Sequence, residues 1–263
     1  MVRDVWEVGE AYEAYVGRWS RRVAVEFLRR LSVPAGRTWL DVGCGTGALT
    51  QAILAEASPA RVVGVDPAEG FLATARGAVG DARAEFRVGD AQALPLADDG
   101  FEAVVSGLAL NFVPDHVLAV GEMVRVAAPG AVVAAYVWDY AEGMEMMRHF
   151  WDAAIAAAPD DSGLDESVRF PVCRPGALRD LWVGAGVLDV VVGPIDVPTV
   201  FSGFDDFWDP FLGGQGAAPA YAMSLTSARR ADLRERLRGS LPYAADGTIP
   251  LTARAWAVSG TAS

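Results

Sequence analysis

Leu40-Asp41-Val42-Gly43-Cys44-Gly45-Thr46-Gly47 is the stretch on which the architecture turns. Arg37 to Val42 reads as a short buried strand. Glycines then let the backbone turn tightly, and a helix, Ala48 to Ala57, opens with its free N–H groups facing the turn. Working outward, the hydrophobic period keeps switching. Strands are predicted at Arg61–Val65, Glu85–Val88, Glu102–Ser106 and Ala131–Val137. Helices are predicted at Ala68–Val79 and Asp115–Ala127, the second with Pro114 at its start and Pro129-Gly130 after its end. Strands alternating with helices at this spacing mean βαβ crossovers and a parallel sheet covered on both faces.

The flanks complete this picture. Residues 10–31 read as helical, with Tyr12, Tyr15, Trp19, Val23 and Phe27 at three- and four-residue spacing, and Gly17 is expected to divide the run. Downstream, Met144–Ala158 and Pro175–Ala185 read as helices, and Leu188–Val192 and Arg254–Val258 as two late strands. Between those strands lies an aromatic, glycine-containing segment ending in an arginine-rich helix, Ser227–Arg238. The expectation is one α/β domain with a seven-stranded, mostly parallel sheet. An amino-terminal helical cap (1–33), a ligand-binding core (37–138) and a second half (139–263) with a helical insertion at about 201–240 make it up.

Composition narrows the chemistry. The 263 residues are 52% apolar and 21% charged, enough for a sizeable core. Acids outnumber bases 34 to 22, a net charge of −12, which argues against a nucleic-acid backbone as partner. Every base is arginine, so Schiff-base chemistry and a phosphate-binding lysine are excluded. His116, His149, Cys44 and Cys173 show no metal-ligand spacing, so no metal is expected. The first ten residues have no apolar h-region, and the longest apolar stretch is too short for a bilayer. A cytoplasmic protein without membrane partners is expected.

The glycine turn by itself has two readings. Gly43, Gly45 and Ala48 satisfy the loose dinucleotide fingerprint, with Asp66 at about the right distance. The charge of Asp41 favours another ligand: at the mouth of the first strand it would repel a pyrophosphate and attract a cation. S-adenosylmethionine carries an ammonium and a sulfonium and no phosphate. Gly47 supplies a third glycine that the dinucleotide fingerprint does not require.

At this point the sequence resembles the class I S-adenosylmethionine-dependent methyltransferases, with a Rossmann-like sheet, and most closely their small-molecule group that includes the quinone-biosynthesis C-methyltransferases. LDVGCGTGALT (40–50) looks like their first motif. VVGVDP (62–67), VGDAQALP (88–95), DDGFEAVV (98–105) and VRVAAPGAVV (124–133) are similar to the motifs of the following strands, in order and at family spacing. The resemblance implies that Asp41, Gly43, Cys44, Gly45 and Gly47 form the cofactor turn, and that Asp66, followed by Pro67, takes both ribose hydroxyls. It also implies that Asp90 meets the adenine amino group and that the Ala91 N–H meets the ring, with Phe71 and Ser106 alongside. Tyr15 or Arg18 is then a candidate for the methionine carboxylate, since arginine pairs two-pronged with carboxylates.

Each residue has a plainer reading beside this one. Asp66 could cap the following helix, and Asp90 could be a turn residue. Cys44 fits a small packing residue better than a nucleophile. Phe71 and Tyr15 fit core positions equally well, and Arg18 a solvated helix face.

For the acceptor, Ser106-Gly107-Leu108-Ala109 lacks the Pro-Pro-aromatic sequence of the amino-methylating DNA enzymes, and no acidic metal ligands stand there. A small organic molecule remains, of the flat aromatic kind that Trp138, Tyr140, Phe204, Trp208 and Phe211 would suit, bound under a lid. The plainer reading, that the rings of the 201–240 segment form that segment's own small core, is preferred over a substrate pocket. Candidate bases are His116, His149 and Asp139. The reaction expected is in-line displacement at the sulfonium methyl, releasing S-adenosylhomocysteine, by a monomer or homodimer. The competing expectations are a nicotinamide-dependent oxidoreductase and a cofactor-binding regulator without catalysis.

Overall fold

The computed structural model describes residues 13–214 and 216–263. Tyr12, the amino-terminal ten residues and Gln215 lie outside the described residues. Seven strands form one sheet in the order β3-β2-β1-β4-β5-β7-β6. They are β1 (Thr38–Val42), β2 (Arg61–Asp66), β3 (Ala84–Val88), β4 (Phe101–Gly107), β5 (Ala127–Trp138), β6 (Leu188–Phe201) and β7 (Ile249–Thr261). The first five run parallel, with Asp41 opposite Gly64 on one side and Val105 on the other. This is the Rossmann-like α/β class expected. The order reverses between β1 and β4, so their carboxyl ends open a crevice where α/β sheets bind ligands.

The helices are α1 (Arg18–Leu31), α2 (Ala48–Glu56), α3 (Glu69–Ala78), α4 (His116–Val126), α5 (Glu145–Ala157), α6 (Glu166–Arg169), α7 (Pro175–Gly184), α8 (Phe204–Trp208), α9 (Ala217–Ser224) and α10 (Ser227–Ser240). Gly17 marks a change of helical geometry, from a π-helical turn over Glu13–Gly17 to α1. Asp115 stops the chain ahead of α4 as its N-cap, accepting from the N–H groups of Val117 and Leu118. Among the described residues no helix is long and apolar enough to cross a membrane.

Three strands run longer than the sequence reading, among them β7, which spans Ile249–Thr261 where Arg254–Val258 was expected. β5 begins at Ala127 and runs through Pro129-Gly130, which were expected to lie outside it. The β4–β5 register shifts between Phe101 and Ala103, and Gly130, at φ +80°, donates to the Ala262 carbonyl. The pair therefore forms an irregularity inside the strand. β6 extends nine residues past Val192 to Phe201 because Pro194 and Pro198, which obscure the strand in sequence, sit on the edge strand of the sheet. An edge strand tolerates the missing N–H.

Contacts divide the chain into two compact units. The larger comprises Arg21–Val137, Val172–Ile195 and Trp256–Ser263. Its strands are near-continuous apolar runs because both faces are covered: Leu40, Val62, Val63, Val104 and Val133 are fully buried. Trp182 of α7 is fixed in this core by its indole N–H, which donates to the Val133 carbonyl. The smaller unit comprises the described residues up to Ser20, Trp138–Pro171 and Asp196–Ala255. Its core is aromatic. Phe211 stacks on Phe150, and Phe201, Phe207 and Tyr221 meet neighbouring rings. Arg148 grips Asp165 with two hydrogen bonds at its margin.

Candidate cofactor site

The crevice of the larger unit is shaped by three glycines in the left-handed region: Gly43 at φ +73°, Gly45 at +52° and Gly47 at +87°. Only glycine takes these angles without cost. The N–H groups of Gly43 and Cys44 donate to the Val65 carbonyl, which draws the turn across the end of β2. Gly43 also touches the segment after β4: a Cβ there would stand 2.4 Å from the Ala109 Cβ. Cys44 is buried and packs toward Gly64, where an added Cβ would lie 2.9 Å from its Sγ. Burial pushes its thiol pKa up, so it is a packing group.

Two carboxylates organise this turn. Asp66, at the end of β2, accepts from the Gly45 N–H with Oδ2 (3.0 Å) and from the Ala68 N–H with Oδ1 (2.9 Å). It thus holds the glycine turn and the entrance of α3 together, while Ala68 itself occupies the N-cap position. Asp41 lies beneath the turn with no exposed surface. Its Oδ2 accepts from the Thr50 hydroxyl at 2.7 Å, and its Oδ1 is buried without a partner among the described residues. Burial pushes its carboxyl up to about 7, against the pull of the Thr50 bond, and the nearby Asp66 charge adds to the rise. A buried oxygen left unpaired costs free energy, and a cation above the turn would repay it through Coulomb attraction. Both features suit an ammonium-bearing ligand and do not suit a pyrophosphate.

The remaining cofactor candidates surround the same strand ends. Pro67 is exposed after β2, Phe71 is half-buried on α3, and Ser106 is buried on β4. Asp90 is exposed and binds its own turn, accepting from the Gln92 backbone and side-chain N–H groups; Ala91 follows it half-buried. His116 opens α4 in this same unit, with Nε2 unpartnered and burial lowering its pKa. Among the described residues no cluster of three potential metal ligands occurs.

The other candidates lie in the smaller unit. Asp139 accepts from the Glu142 N–H and shapes the turn after β5. Trp138 and Tyr140 flank it, both buried, with Tyr140 against Phe170. His149 is half-buried on α5, and burial lowers its pKa. Phe204 stacks on Trp208, Arg238 lies over Phe204, and Trp208 packs on Phe211. Tyr15 meets Phe211 edge-on, and Arg18 pairs with Asp206 at 3.0 Å.

Glu166 was not foreseen. It is buried at the start of α6, where the Trp151 indole N–H donates to its carboxylate, and burial pushes it up to about 7. Nothing in Asp165-Glu166 distinguishes the residue that Arg148 neutralises from the one it leaves alone. Thr50 was read as part of the first motif, but its bond to Asp41 depends on the first turn of α2 folding back over β1.

Comparison with known proteins agrees with this geometry. A methyltransferase-domain family model matches residues 40–135. A demethylmenaquinone methyltransferase of Shouchella clausii is 38% identical over 184 residues, covering 63% of this chain and 76% of that protein. A trans-aconitate 2-methyltransferase of Variovorax paradoxus is 33% identical over 138 residues, about half of each chain (52%). Among solved structures, a methyltransferase of Bacillus halodurans superposes with a TM-score of 0.61 at 17% identity, covering 90% of this chain and 97% of that one. Phosphoethanolamine N-methyltransferase 2 of Haemonchus contortus, solved with S-adenosylhomocysteine, also gives 0.61, at 18% identity, over 96% of this chain and 56% of that one. The glycine turn, its two carboxylates and a demethylmenaquinone methyltransferase matched over three quarters of its length lead to one assignment: the chain belongs to the class I S-adenosylmethionine-dependent methyltransferases.

Proposed function

We propose that the protein transfers the methyl group of S-adenosylmethionine to a small organic acceptor, releasing S-adenosylhomocysteine. The observation that carries this reading is the turn at Gly43–Gly47 with the unpartnered oxygen of Asp41 beneath it. When bound, the cofactor supplies an electrophilic methyl group. The chain's part is positioning. The glycines admit the ligand backbone-close, Asp41 attracts the ammonium through the turn, and Asp66 offers its remaining lone pairs to the ribose hydroxyls. Asp90 and the Ala91 N–H are the adenine contacts, with Pro67, Phe71 and Ser106 beside them. Holding donor and acceptor in line is worth roughly 7–11 kcal/mol of barrier.

The acceptor reading draws on the aromatic residues Trp138, Tyr140, Phe204, Trp208 and Phe211, which favour a flat apolar molecule, with His116, His149 or Asp139 as proton acceptor. The Shouchella relative is named for a demethylated quinone and the Variovorax relative for an unsaturated acid. Quinols and carboxylic acids therefore head the acceptors to test, with a cytoplasmic setting. Incubation with methyl-tritiated S-adenosylmethionine and a panel of quinols, phenols, amines and carboxylic acids tests the proposal. Transfer of label to one class, with stoichiometric S-adenosylhomocysteine, is expected. Cofactor binding without transfer across the panel would favour a regulatory role.

The pKa of Asp41 adds a prediction. Because folding raises it, this group's contribution to stability is present at acid pH and lost as pH rises through 7. A bound ammonium prefers the ionised form, so S-adenosylhomocysteine affinity should rise about tenfold between pH 6 and pH 8. Asp41→Asn should flatten that profile in calorimetric titrations.

A further inference from the structure

The chain leaves β4 through a strained residue. Leu108 sits at φ +57°, in the left-handed region, where a Cβ crowds the following carbonyl. The other described non-glycine residues in that region, Ser32, Ser58, Asp99 and Asp189, have short polar side chains; Leu108 has a bulky apolar one. Its N–H donates to the Tyr136 carbonyl at 2.9 Å, which holds the conformation in place. Strain of this kind concentrates at ligand clamps.

Beyond Leu108 the chain makes one tight turn, Leu110–Phe112, which packs against α4, and His116 is the first residue of that helix. Two buried polar atoms here have no partner among the described residues: Asn111 Nδ2 and His116 Nε2. Asn111 is only 5% exposed. An amide nitrogen buried in this way is costly unless an oxygen accepts from it. Burial lowers the His116 pKa, against the pull of Asp115, so at neutral pH the imidazole is uncharged and one ring nitrogen keeps a free lone pair.

Both residues belong to the larger unit, and their segment is anchored to the crevice at two points. At one end Ala109 meets the glycine turn, its Cβ 2.4 Å from where a Gly43 Cβ would stand. At the other, the Asp115 N–H donates to Gln92 Oε1 at 3.0 Å, and the Gln92 amide donates to Asp90 at 3.1 Å. Phe112, Val117 and Leu118 of the same segment are exposed, an apolar border for a flat ligand.

We propose that Asn111 and His116 are the polar contacts of the methyl acceptor, and that they select an acceptor bearing a hydroxyl group, a phenol or an enol. This rests on the methyl-transfer reading above and narrows its substrate class. Asn111 Nδ2 donates to the hydroxyl oxygen, and His116 Nε2 accepts the hydroxyl hydrogen. Passage of that proton to Nε2 leaves the O–H electron pair on the oxygen, so an imidazolium stands beside an oxyanion that Asn111 still holds. An aromatic amine offers Asn111 a poorer acceptor, and a carboxylate has no hydrogen for His116. Of the two classes that head the acceptors to test, the pair favours the quinol.

Calorimetric titration of 1-naphthol and 1-methoxynaphthalene into protein saturated with S-adenosylhomocysteine tests this. The naphthol can use both residues, the ether only Asn111. Wild type is expected to bind the naphthol more tightly. Asn111→Leu should weaken both probes roughly fivefold, and His116→Leu should weaken the naphthol roughly fivefold while sparing the ether. Asn111→Leu should also keep or raise the urea midpoint, because it exchanges an unpaired buried amide for an apolar group of similar size. A lowered midpoint would show that the amide serves the packing of the turn, and would overturn its assignment. Equal binding of the two probes by wild type, binding of neither, or undiminished naphthol affinity in both variants would overturn the proposal. So would a loss of S-adenosylhomocysteine affinity in either variant, which would place that residue on the cofactor. Wild type that did not bind S-adenosylhomocysteine would refute the methyl-transfer reading, and this proposal with it.

Discussion

Gly43→Ala is expected to abolish S-adenosylhomocysteine binding and to destabilise the fold by about 2–4 kcal/mol. Two costs add. The position sits at φ +73°, where a Cβ crowds the following carbonyl. That Cβ would also stand 2.4 Å from the Ala109 Cβ, an overlap that only backbone movement relieves. The movement would have to occur where the turn meets the segment after β4, the rim of the proposed cofactor crevice. Two controls separate the costs. Ala109→Gly in the Gly43→Ala background should recover the overlap share and leave the conformational share. Gly36→Ala, at φ +79° but with no atom within 4 Å of an added Cβ, should cost about 1 kcal/mol and leave binding unchanged. Urea unfolding and calorimetric titration of the four proteins read both quantities. Undiminished binding in Gly43→Ala would mean that the turn is not where the ligand lies.

Asp66→Ala should weaken S-adenosylhomocysteine by about 1.5–3 kcal/mol, roughly 10- to 150-fold. The carboxylate has two tasks, and the variant removes both. It holds the Gly45 N–H, which fixes the turn, and the Ala68 N–H, which fixes the start of α3. Its remaining lone pairs are those proposed for the ribose diol. Because 5′-methylthioadenosine carries the same ribose, it should lose affinity in parallel. Asp66→Asn keeps one acceptor and turns an N–H toward a second donor, so an intermediate loss is expected. Affinity within twofold of wild type in a folded Asp66→Ala would remove this residue from the site.

Most of the sheet is legible in the sequence because its signals are local. β1, β2 and β4 are apolar runs bounded by turn residues, and the glycine turn between β1 and α2 follows from Gly43, Gly45 and Gly47 alone. Where the reading falls short, the cause lies elsewhere in the chain. Pro194 and Pro198 argue against a strand unless β6 is known to be an edge, which is a property of the sheet and not of the segment. Pro129-Gly130 reads as a stop, but Gly130 finds its acceptor in Ala262, more than a hundred residues away. The same holds for the site. Asp41 is recognisable as a residue of the turn, yet its unpartnered oxygen depends on where Thr50 and Asp66 arrive. Arg18 looks like one arginine among 22 until Asp206 and Phe201 come to it from the far half of the chain.

The central claim is that the crevice above Asp41 takes an adenosyl amino acid and not a dinucleotide. Calorimetric titration of the purified protein with S-adenosylhomocysteine, and in parallel with NADH, tests it most directly. Saturable one-to-one binding of S-adenosylhomocysteine with no heat from NADH is predicted; saturable binding of NADH with none of S-adenosylhomocysteine would contradict the account.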